Sequence, residues 1–167
     1  MPADAFDLIH ARLVLVHLPA RDQVLARLAD ALNPGGWLVI EDFDSSLPHC
    51  LDPVTSEEQA FVKVGQALVA ALHRRGADTT YPRTLPHRLR ELGLATVGAC
   101  GHLVIYHGGS PEAVLQQANL DQVGQSLVDA GLISAADLQA SQRLLRDPAF
   151  TANHPLMITA WGCQTGR

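Results

Sequence analysis

The sequence predicts an α/β fold with a parallel sheet, and three consecutive segments near its start carry that prediction. Residues 6–10 (FDLIH) form a short apolar run, typical of a strand that is covered on both faces. Across residues 19–32, apolar side chains recur at helical spacing opposite charged ones. Residues 33–36 (NPGG) end that helix, and a second apolar run, 37–40 (WLVI), follows at once. A strand, a helix and a strand joined this closely predict a right-handed βαβ crossover.

The ends of the two predicted strands indicate where a ligand would bind. In open α/β sheets, ligands lie beyond the carboxyl ends of the parallel strands. The first strand leads into residues 11–17, and the second ends in the acids Glu41, Asp42 and Asp44. We therefore expect residues 11–17 and 41–44 to border any site.

The same stretch resembles a known family. FDLIHARLVLVHL, a helix, and then LNPGGWLVIEDFD are similar to the fourth and fifth strands of a class I S-adenosylmethionine-dependent methyltransferase. The most specific part is L-x-P-G-G-x-L-x-I-x-D/E, from Leu32 to Asp42. The resemblance implies a partial Rossmann-like methyltransferase sheet, with strands resembling the fourth to the seventh and with helical insertions. It also implies methyl transfer from S-adenosylmethionine to a small-molecule substrate.

The resemblance leaves part of the family's cofactor machinery unaccounted for. In the family, three strands precede this stretch, and the first ends in a glycine-rich turn that approaches the cofactor. The sequence has no G-x-G-x-x-G motif. We therefore expect residues 1–167 to form a single domain that is the C-terminal part of the fold, incomplete for catalysis and weak in binding S-adenosylmethionine. The alternatives are a non-catalytic binding or assembly module derived from the fold, and an unrelated α/β protein.

The rest of the chain alternates helices with short strands. Helices are predicted at residues 53–75, 84–92, 110–128 and 134–146, and strands at 94–97, 102–107 and 155–163. Thr55 and Glu58 have the spacing of a capping box. We interpret 102–107 as a continuation or a repeat of strand 94–97 after a kink at residues 98–101.

The resemblance implies a position in the family's fold for three segments of the chain. The last strand lies antiparallel between the fifth and the sixth. Residues 45–83 include a lid insertion over the substrate cavity, and residues 110–150 form a helical insertion before the last strand. The length of that second insertion is a departure from the family pattern.

Four candidate site residues follow the first strand or end it. His17 lies where the methyl would be transferred, and a neutral imidazole there would accept a proton from a substrate hydroxyl or amine. By resemblance, His10, Ala11 and Arg12 lie beside the methionine part of the cofactor, where Arg12 would pair with a carboxylate. The alternative for His17 is that it caps a helix or packs as a partly buried side chain.

Four further residues are candidates for binding the substrate. Asp42 and Asp44 would orient a substrate amine or hydroxyl, and Tyr81 and Arg83 would reach the substrate from the lid loop. Acids at a strand end are also commonly solvated. Either aspartate would alternatively form a structural ion pair with Arg12.

Composition excludes several function classes. A formal net charge of -5, with scattered basic residues, argues against a nucleic-acid-binding surface. The eight histidines and three cysteines lack the spacing of a metal site or a disulfide framework. No apolar run approaches the length of a membrane-spanning helix, and no leader pattern opens the chain. We expect a cytoplasmic protein without a metal, a nucleic-acid partner or a membrane anchor.

The resemblance also predicts self-association. The family places its first strand beside the fourth, so a sheet that begins at the fourth leaves residues 6–11 as an open edge, with Leu8 and Ile9 uncovered. Open apolar edges favour pairing with another chain. We expect a homodimer through the 6–11 edge about a two-fold axis, which Ile9→Lys would disrupt or render insoluble.

Overall fold

A computed structural model of the chain describes residues 5–165. Its strands are β1 Phe6–Arg12, β2 Leu32–Asp44, β3 Ala95–His102, β4 Ile105–His107, β5 Thr151–Asn153 and β6 Leu156–Cys163. Its α-helices are α1 Arg21–Asp30, α2 Ser56–Arg74, α3 Leu85–Glu91, α4 Pro111–Asp129 and α5 Ala135–Leu144. Two short 3-10 turns cover Leu15–His17 and Tyr81–Thr84.

The chain divides into two compact units. The sheet unit comprises the described parts of Met1–Ser46, Arg75–His102 and Leu156–Arg167. The helical unit comprises Leu47–Arg74 and Leu103–Pro155. The helical unit takes residues from both predicted insertions, and their roles as a lid and as a family insertion stay predictions.

The sheet unit contains the predicted βαβ crossover. Its four strands follow the order β1-β2-β6-β3, and β1 pairs with β2 in parallel. The strand β6 lies antiparallel to both β2 and β3, in the position that the family resemblance implied. The apolar stripe of α1, with Leu25, Leu28 and Ala29, is buried in the core of this unit. The mixed α/β class and the parallel first pair are therefore confirmed.

The strand β2 is longer than predicted at both ends. It begins at Leu32, so residues 33–36 are an irregular part of the strand rather than a turn before it. A Cβ at Gly36 would lie 2.9 Å from the carbonyl oxygen of Phe6, so only glycine allows this close strand contact. At the other end β2 continues to Asp44, because Asp44 still pairs with Leu156 of β6.

The prediction that β1 is covered on both faces is wrong. Phe6, Leu8 and His10 are exposed, whereas Ile9 and Ala11 are half-buried and pack against the core. Successive side chains of a strand point to opposite faces. One face of β1 therefore packs on the unit, and the other carries an exposed leucine whose relative exposure is 61%.

The prediction that residues 102–107 continue the preceding strand is also wrong. The glycines 98 and 101 lie inside β3, and Gly98 pairs with Trp161, where a Cβ would come 2.6 Å from the indole ring. Glycine at position 98 therefore makes room for a side chain on the neighbouring strand. The strand β4 leaves this sheet and pairs with β5 in the helical unit.

In the helical unit, α2, α4 and α5 enclose an apolar core with β4 and β5. Phe61 and Phe150 meet edge to face there, with ring centroids 5.0 Å apart. The predicted capping box is confirmed: the amide of Glu58 donates to Oγ1 of Thr55, and the amide of Thr55 donates to Oε2 of Glu58. Over residues 5–165, none of the helices is both long enough and apolar enough to cross a membrane.

Candidate functional site

The candidate site lies in the sheet unit, where the parallel strands β1 and β2 end. The amide of Leu13 donates to the carbonyl of Glu41, 2.8 Å away, and Leu13 has a φ of 56°. Leucine rarely adopts this left-handed conformation. The chain thus turns sharply after β1 and enters the 3-10 turn Leu15–His17 beside the end of β2.

Asp42 holds this turn. Its carboxylate Oδ2 accepts hydrogen bonds from the amides of Leu15, at 3.1 Å, and Val16, at 3.4 Å. The side chain is fully buried, and its Oδ1 has no hydrogen-bond partner in the described part of the chain. Burial raises the pKa of the Asp42 carboxyl, and hydrogen bonding from backbone amides, that of Val16 first, opposes that rise.

His17 is presented at the end of this turn. Its imidazole is exposed, and its backbone amide donates to the carbonyl of Val14. Asp42 holds the same turn through the amides of Leu15 and Val16, which precede His17 by two residues and one residue. The structure thus brings together two residues that the sequence had suggested for separate roles, an exposed imidazole and a buried acid.

Arg21 fixes the same turn from the other side, and sequence reasoning missed it. Its guanidinium donates to the carbonyls of Leu15 and Gly76 and lies 3.8 Å from a carboxylate oxygen of Asp78. The amide of Asp78 in turn donates to the carbonyl of Val16. In sequence, Arg21 is one charged residue among several on the polar face of α1, so no local signal distinguishes it.

Asp44 and Arg83, both predicted to bind the substrate, contact each other; Asp44 is buried, whereas the side chain of Arg83 is 53% exposed. Nε of Arg83 donates to Oδ2 of Asp44, and its Nη2 donates to the hydroxyl of Ser46. The other oxygen of Asp44 accepts from the amide of Ser46 at 3.0 Å. This network ties the end of β2 to the second 3-10 turn. A role of either residue in binding the substrate stays a prediction.

Tyr81 is a core residue of the sheet unit rather than an exposed residue of a lid loop. It is 1% exposed, and its hydroxyl donates to Asp22 at 3.0 Å. The guanidinium carbons of Arg88 and Arg21 lie 4.7 Å and 5.7 Å from its ring centroid. Burial raises the pKa of the Tyr81 hydroxyl, and the adjacent Asp22 carboxylate reinforces that rise. Tyr81 therefore joins α1 to the segment before α3.

Glu41 lies on the face of β2 opposite to Asp42. There it contacts two of the predicted cofactor-binding residues, His10 and Arg12. His10 Nε2 lies 2.9 Å from one carboxylate oxygen of Glu41, and the Thr159 hydroxyl donates to the other. These bonds, that of His10 first, lower the pKa of the Glu41 carboxyl. Nε of Arg12 lies 4.0 Å from the same carboxylate, and the Arg12 side chain is 61% exposed.

The suggested pairing of Arg12 with Asp42 or Asp44 is therefore wrong. Arg12 pairs with Glu41 in the strand register, and alternation along β2 turns both aspartates to the other face. Ala11 pairs with Ile40 and is half-buried. The roles of His10, Ala11 and Arg12 in cofactor binding stay predictions, and Arg12 is the one with a largely exposed charge.

Chemically, this arrangement suits proton transfer. No cluster of three or more metal-ligating side chains occurs within residues 5–165. An exposed imidazole on a turn that is held by a buried acid provides a proton acceptor of fixed position. The neighbouring exposed guanidinium provides a partner for an anionic group.

Comparison with known proteins points to one family. A family model described as a methyltransferase domain matches residues 1–125. The chain is similar to methyltransferase str2 of Strobilurus tenacellus, with 39% identity over 84 residues, 50% of this chain and 29% of that protein. It is 34% identical over 85 residues to methyltransferase str3 of the same organism, with the same shares of each chain. It thus spans under a third of the length of these curated relatives.

One solved structure has a similar fold. The chain is similar to Haemonchus contortus phosphoethanolamine N-methyltransferase 2, solved with phosphomonomethylethanolamine and S-adenosylhomocysteine, with a TM-score of 0.51. The match has 12% sequence identity and covers 98% of this chain and 35% of the other. At this identity, the comparison supports the fold alone.

Proposed function

Because this chain belongs to the class I S-adenosylmethionine-dependent methyltransferases, we propose that it forms the C-terminal part of a domain that transfers a methyl group to a small molecule. The observation that carries this proposal is the turn at the ends of β1 and β2. That turn presents His17 to solvent at the edge where α/β sheets bind ligands, and Asp42 holds it from inside.

His17 acts in this proposal as the general base. Methyl transfer to a hydroxyl or an amine requires loss of a proton from the acceptor, and imidazole titrates in the right range for that step. Asp42 does not contact the substrate in this scheme. It positions the turn through the amides of Leu15 and Val16, so that His17 keeps one location relative to the bound acceptor.

The residues at the end of β1 fit a cofactor with an amino-acid part. When bound, S-adenosylmethionine supplies an electrophilic methyl group on a sulfonium. Arg12 has a largely exposed guanidinium with a single long contact to Glu41, and it would pair with the carboxylate of such a ligand. The buried Asp44 is paired with Arg83, whose side chain is 53% exposed, and this pair holds the adjoining segment.

The proposal includes the cellular compartment in which the protein acts. All three cysteines, at positions 50, 100 and 163, are free thiols, as is usual in the reducing cytoplasm, and we propose that location. The net charge of -5 supports a small-molecule acceptor over a nucleic acid.

Calorimetric titration tests the cofactor part of the proposal. We expect residues 1–167 to bind S-adenosylmethionine with a dissociation constant above about 100 μM, because no glycine-rich turn accompanies the Arg12 contact. A constant in the low micromolar range, about -8 kcal/mol, would show that this chain holds a complete cofactor site. In a longer form of the protein, release of S-adenosylhomocysteine upon methyl transfer is the expected result. Absence of both binding and turnover in that form would favour the non-catalytic module.

We also propose a homodimer through the 6–11 edge. The strand β1 pairs with β2 only, among the strands that the structure describes, and Leu8 and Phe6 are exposed on it. Light scattering at micromolar concentration is expected to give twice the monomer mass, and Leu8→Lys is expected to halve it. Ile9→Lys is the weaker test, because Ile9 packs against the core and its loss would also unfold the unit. A monomeric wild-type chain would refute this proposal.

A further inference from the structure

The imidazole of His49 is packed against the core of the helical unit. It lies against α2 at Gly65, where a Cβ would come within 3.1 Å of Cδ2 of the ring. Its backbone is tied to β5, because the amide of Asn153 donates to the carbonyl of His49 at 2.8 Å. The side chain of Asn153 donates to the preceding carbonyl, that of Pro48, also at 2.8 Å. A movement of this segment into solvent therefore requires its separation from α2 and β5.

The packed ring of His49 has no acceptor for a second N–H group. Its Nε2 is buried and has no hydrogen-bond partner among residues 5–165. A charged imidazole carries N–H groups on both nitrogens, so protonation of either neutral tautomer leaves the N–H at Nε2 without an acceptor. The adjacent cavity measures about 10 Å³, which is room for one water molecule at most. Because an unpaired buried charge is costly, the packing favours the neutral ring.

A second histidine, His154, belongs to the same cluster. Its ring centroid lies 5.0 Å from that of Tyr106, and its Nδ1 lies 3.2 Å from Nε2 of Gln116. Burial first, and then the charge of His154, lower the pKa of His49. Burial also lowers the pKa of His154, whereas the charge of Glu112 on α4 opposes that change. The acid on α4 thus favours a proton on His154, which in turn disfavours one on His49.

The other charged groups on the surrounding helices are paired with each other. Lys63 of α2 lies 2.6 Å from Asp137 of α5, and Glu57 lies 2.6 Å from Arg143. The Lys63 ammonium lowers the pKa of Asp137 to about 2. On the segment of His49 itself, burial raises the pKa of the Cys50 thiol. The imidazoles are therefore the side chains of this set whose ordinary pKa lies near neutrality.

From this geometry, we propose that the helical unit is an acid-sensitive element, which opens when His49 takes up a proton while the sheet unit stays folded. Opening transfers the imidazole to water, where its charge is hydrated, so the open state binds the proton more tightly. The folded-state pKa is lowered, so the stability of the closed unit is complete above the unfolded value of 6.5 and falls as the pH falls below it.

The two units have separate cores, which allows one to open without the other. All residues of the histidine cluster belong to the helical unit. The inference therefore does not depend on the proposed methyl transfer.

Amide hydrogen exchange of residues 1–167, followed by nuclear magnetic resonance between pH 7 and pH 5, tests this proposal. Corrected for the intrinsic exchange rates, the opening constant for amides of α2, α4 and α5 is expected to rise at least about tenfold upon acidification, because each histidine that takes up a proton on opening contributes up to about tenfold per pH unit. The opening constant for amides of β2 and β6 is expected to stay within about twofold. The imidazole resonance of His49 should titrate below its ordinary pKa of 6.5.

Two matched variants assign the effect to one imidazole. His49→Gln removes the titrating ring and is expected to abolish most of the rise in the opening constant. His107→Gln is the control, because it makes the same change at an exposed position of β4 in the same unit. It is expected to retain the full rise.

Three results would each overturn the proposal: a His49 resonance that titrates at or above pH 6.5, an equal rise for β2 and β6, or a full rise in His49→Gln. If His49→Gln does not fold at neutral pH, the titration of His49 in the wild type and the comparison of the two units decide the question.

Discussion

The two units differ in whether their buried polar groups have hydrogen-bond partners. In the sheet unit, the buried Asp44 and Tyr81 have partners on other elements of the same unit: Arg83 and Asp22. In the helical unit, atoms of Tyr106, Asn153 and His49 are buried without a hydrogen-bond partner among the described residues. Buried polar atoms are normally satisfied, so these exceptions distinguish the helical unit from the sheet unit.

Asp42 is the exception within the sheet unit, and it is instructive. One of its oxygens holds the turn that carries His17, whereas the other is buried without a partner in the described chain. Unsatisfied atoms among the described residues thus occur at the proposed catalytic turn of the sheet unit and at several positions of the helical unit. In the rest of the sheet unit, the buried polar contacts named above maintain the structure.

The largest expected effect is that of Asp42→Ala. The change leaves the buried amides of Leu15 and Val16 without their acceptor, which costs about 2–3 kcal/mol of unfolding free energy. Asp42→Asn keeps an acceptor oxygen and is expected to stay within about 1 kcal/mol of the wild type. Urea unfolding measures both. If the two variants were equally stable, Asp42 would not hold the turn.

His17→Ala is expected to have the next largest effect. It tests the exposed imidazole of His17 separately from the buried carboxyl of Asp42. In a longer, active form of the protein, we expect turnover to fall about 10²-fold, about 2.7 kcal/mol, with an unchanged melting temperature. The stability should not change, because the imidazole is exposed. Unchanged turnover with a lowered melting temperature would instead assign His17 a packing or capping role.

A pair of tyrosine variants tests the contrast between the units directly. Tyr81→Phe removes a hydrogen bond to Asp22 and is expected to lower the unfolding free energy by about 1 kcal/mol. Tyr106→Phe removes a buried hydroxyl that has no partner within residues 5–165, so it is expected to be neutral or to stabilise by up to about 1 kcal/mol. Thermal unfolding of both variants gives the comparison. Equal destabilisation would mean that the contrast between the units does not exist.

The smallest expected effect is a pH dependence of stability. The folded-state pKa of Asp42 is raised, so its contribution is fully present below its unfolded pKa of 3.8 and is lost as the pH rises through the folded value. Relative to Asp42→Asn, the wild type should therefore lose stability as the pH rises above the unfolded value of 3.8.

Glu41 is the control, because its contribution to stability is expected to change with pH in the opposite direction to that of Asp42. Its folded-state pKa is lowered, so its contribution is present above the unfolded value of 4.5 and is lost as the pH falls through the folded value. Relative to Glu41→Gln, the wild type should lose stability upon acidification. Chemical denaturation across this pH range measures both slopes, and slopes of the same sign would contradict the assignment.

Much of the local structure followed from the sequence, because its causes lie within a few residues. The helical spacing of Leu25, Leu28 and Ala29 predicted the buried face of α1, and the three-residue spacing of Thr55 and Glu58 predicted their capping box. The methyltransferase resemblance likewise rests on a continuous stretch. In each case, the interacting groups are neighbours along the chain, so periodicity and spacing were sufficient.

The candidate site was predicted only in part, since strand ends indicated its position but not its contacts. Strand alternation turned Arg12 toward Glu41, and the burial of Tyr81 converted a predicted substrate contact into a core residue. The role of Arg21 had no sequence signal, because its partner at Gly76 lies 55 residues away.

By itself, the sequence determined the α/β class, the βαβ crossover, the Thr55–Glu58 capping box and the family. Only the tertiary structure decided which of several similar acids are buried, that β4 leaves the sheet, and that Asn153 meets Pro48 across 105 residues. The physical reason is that helical and strand periodicity are local properties of the backbone. Burial and the pairing of distant polar groups, by contrast, depend on which elements pack together.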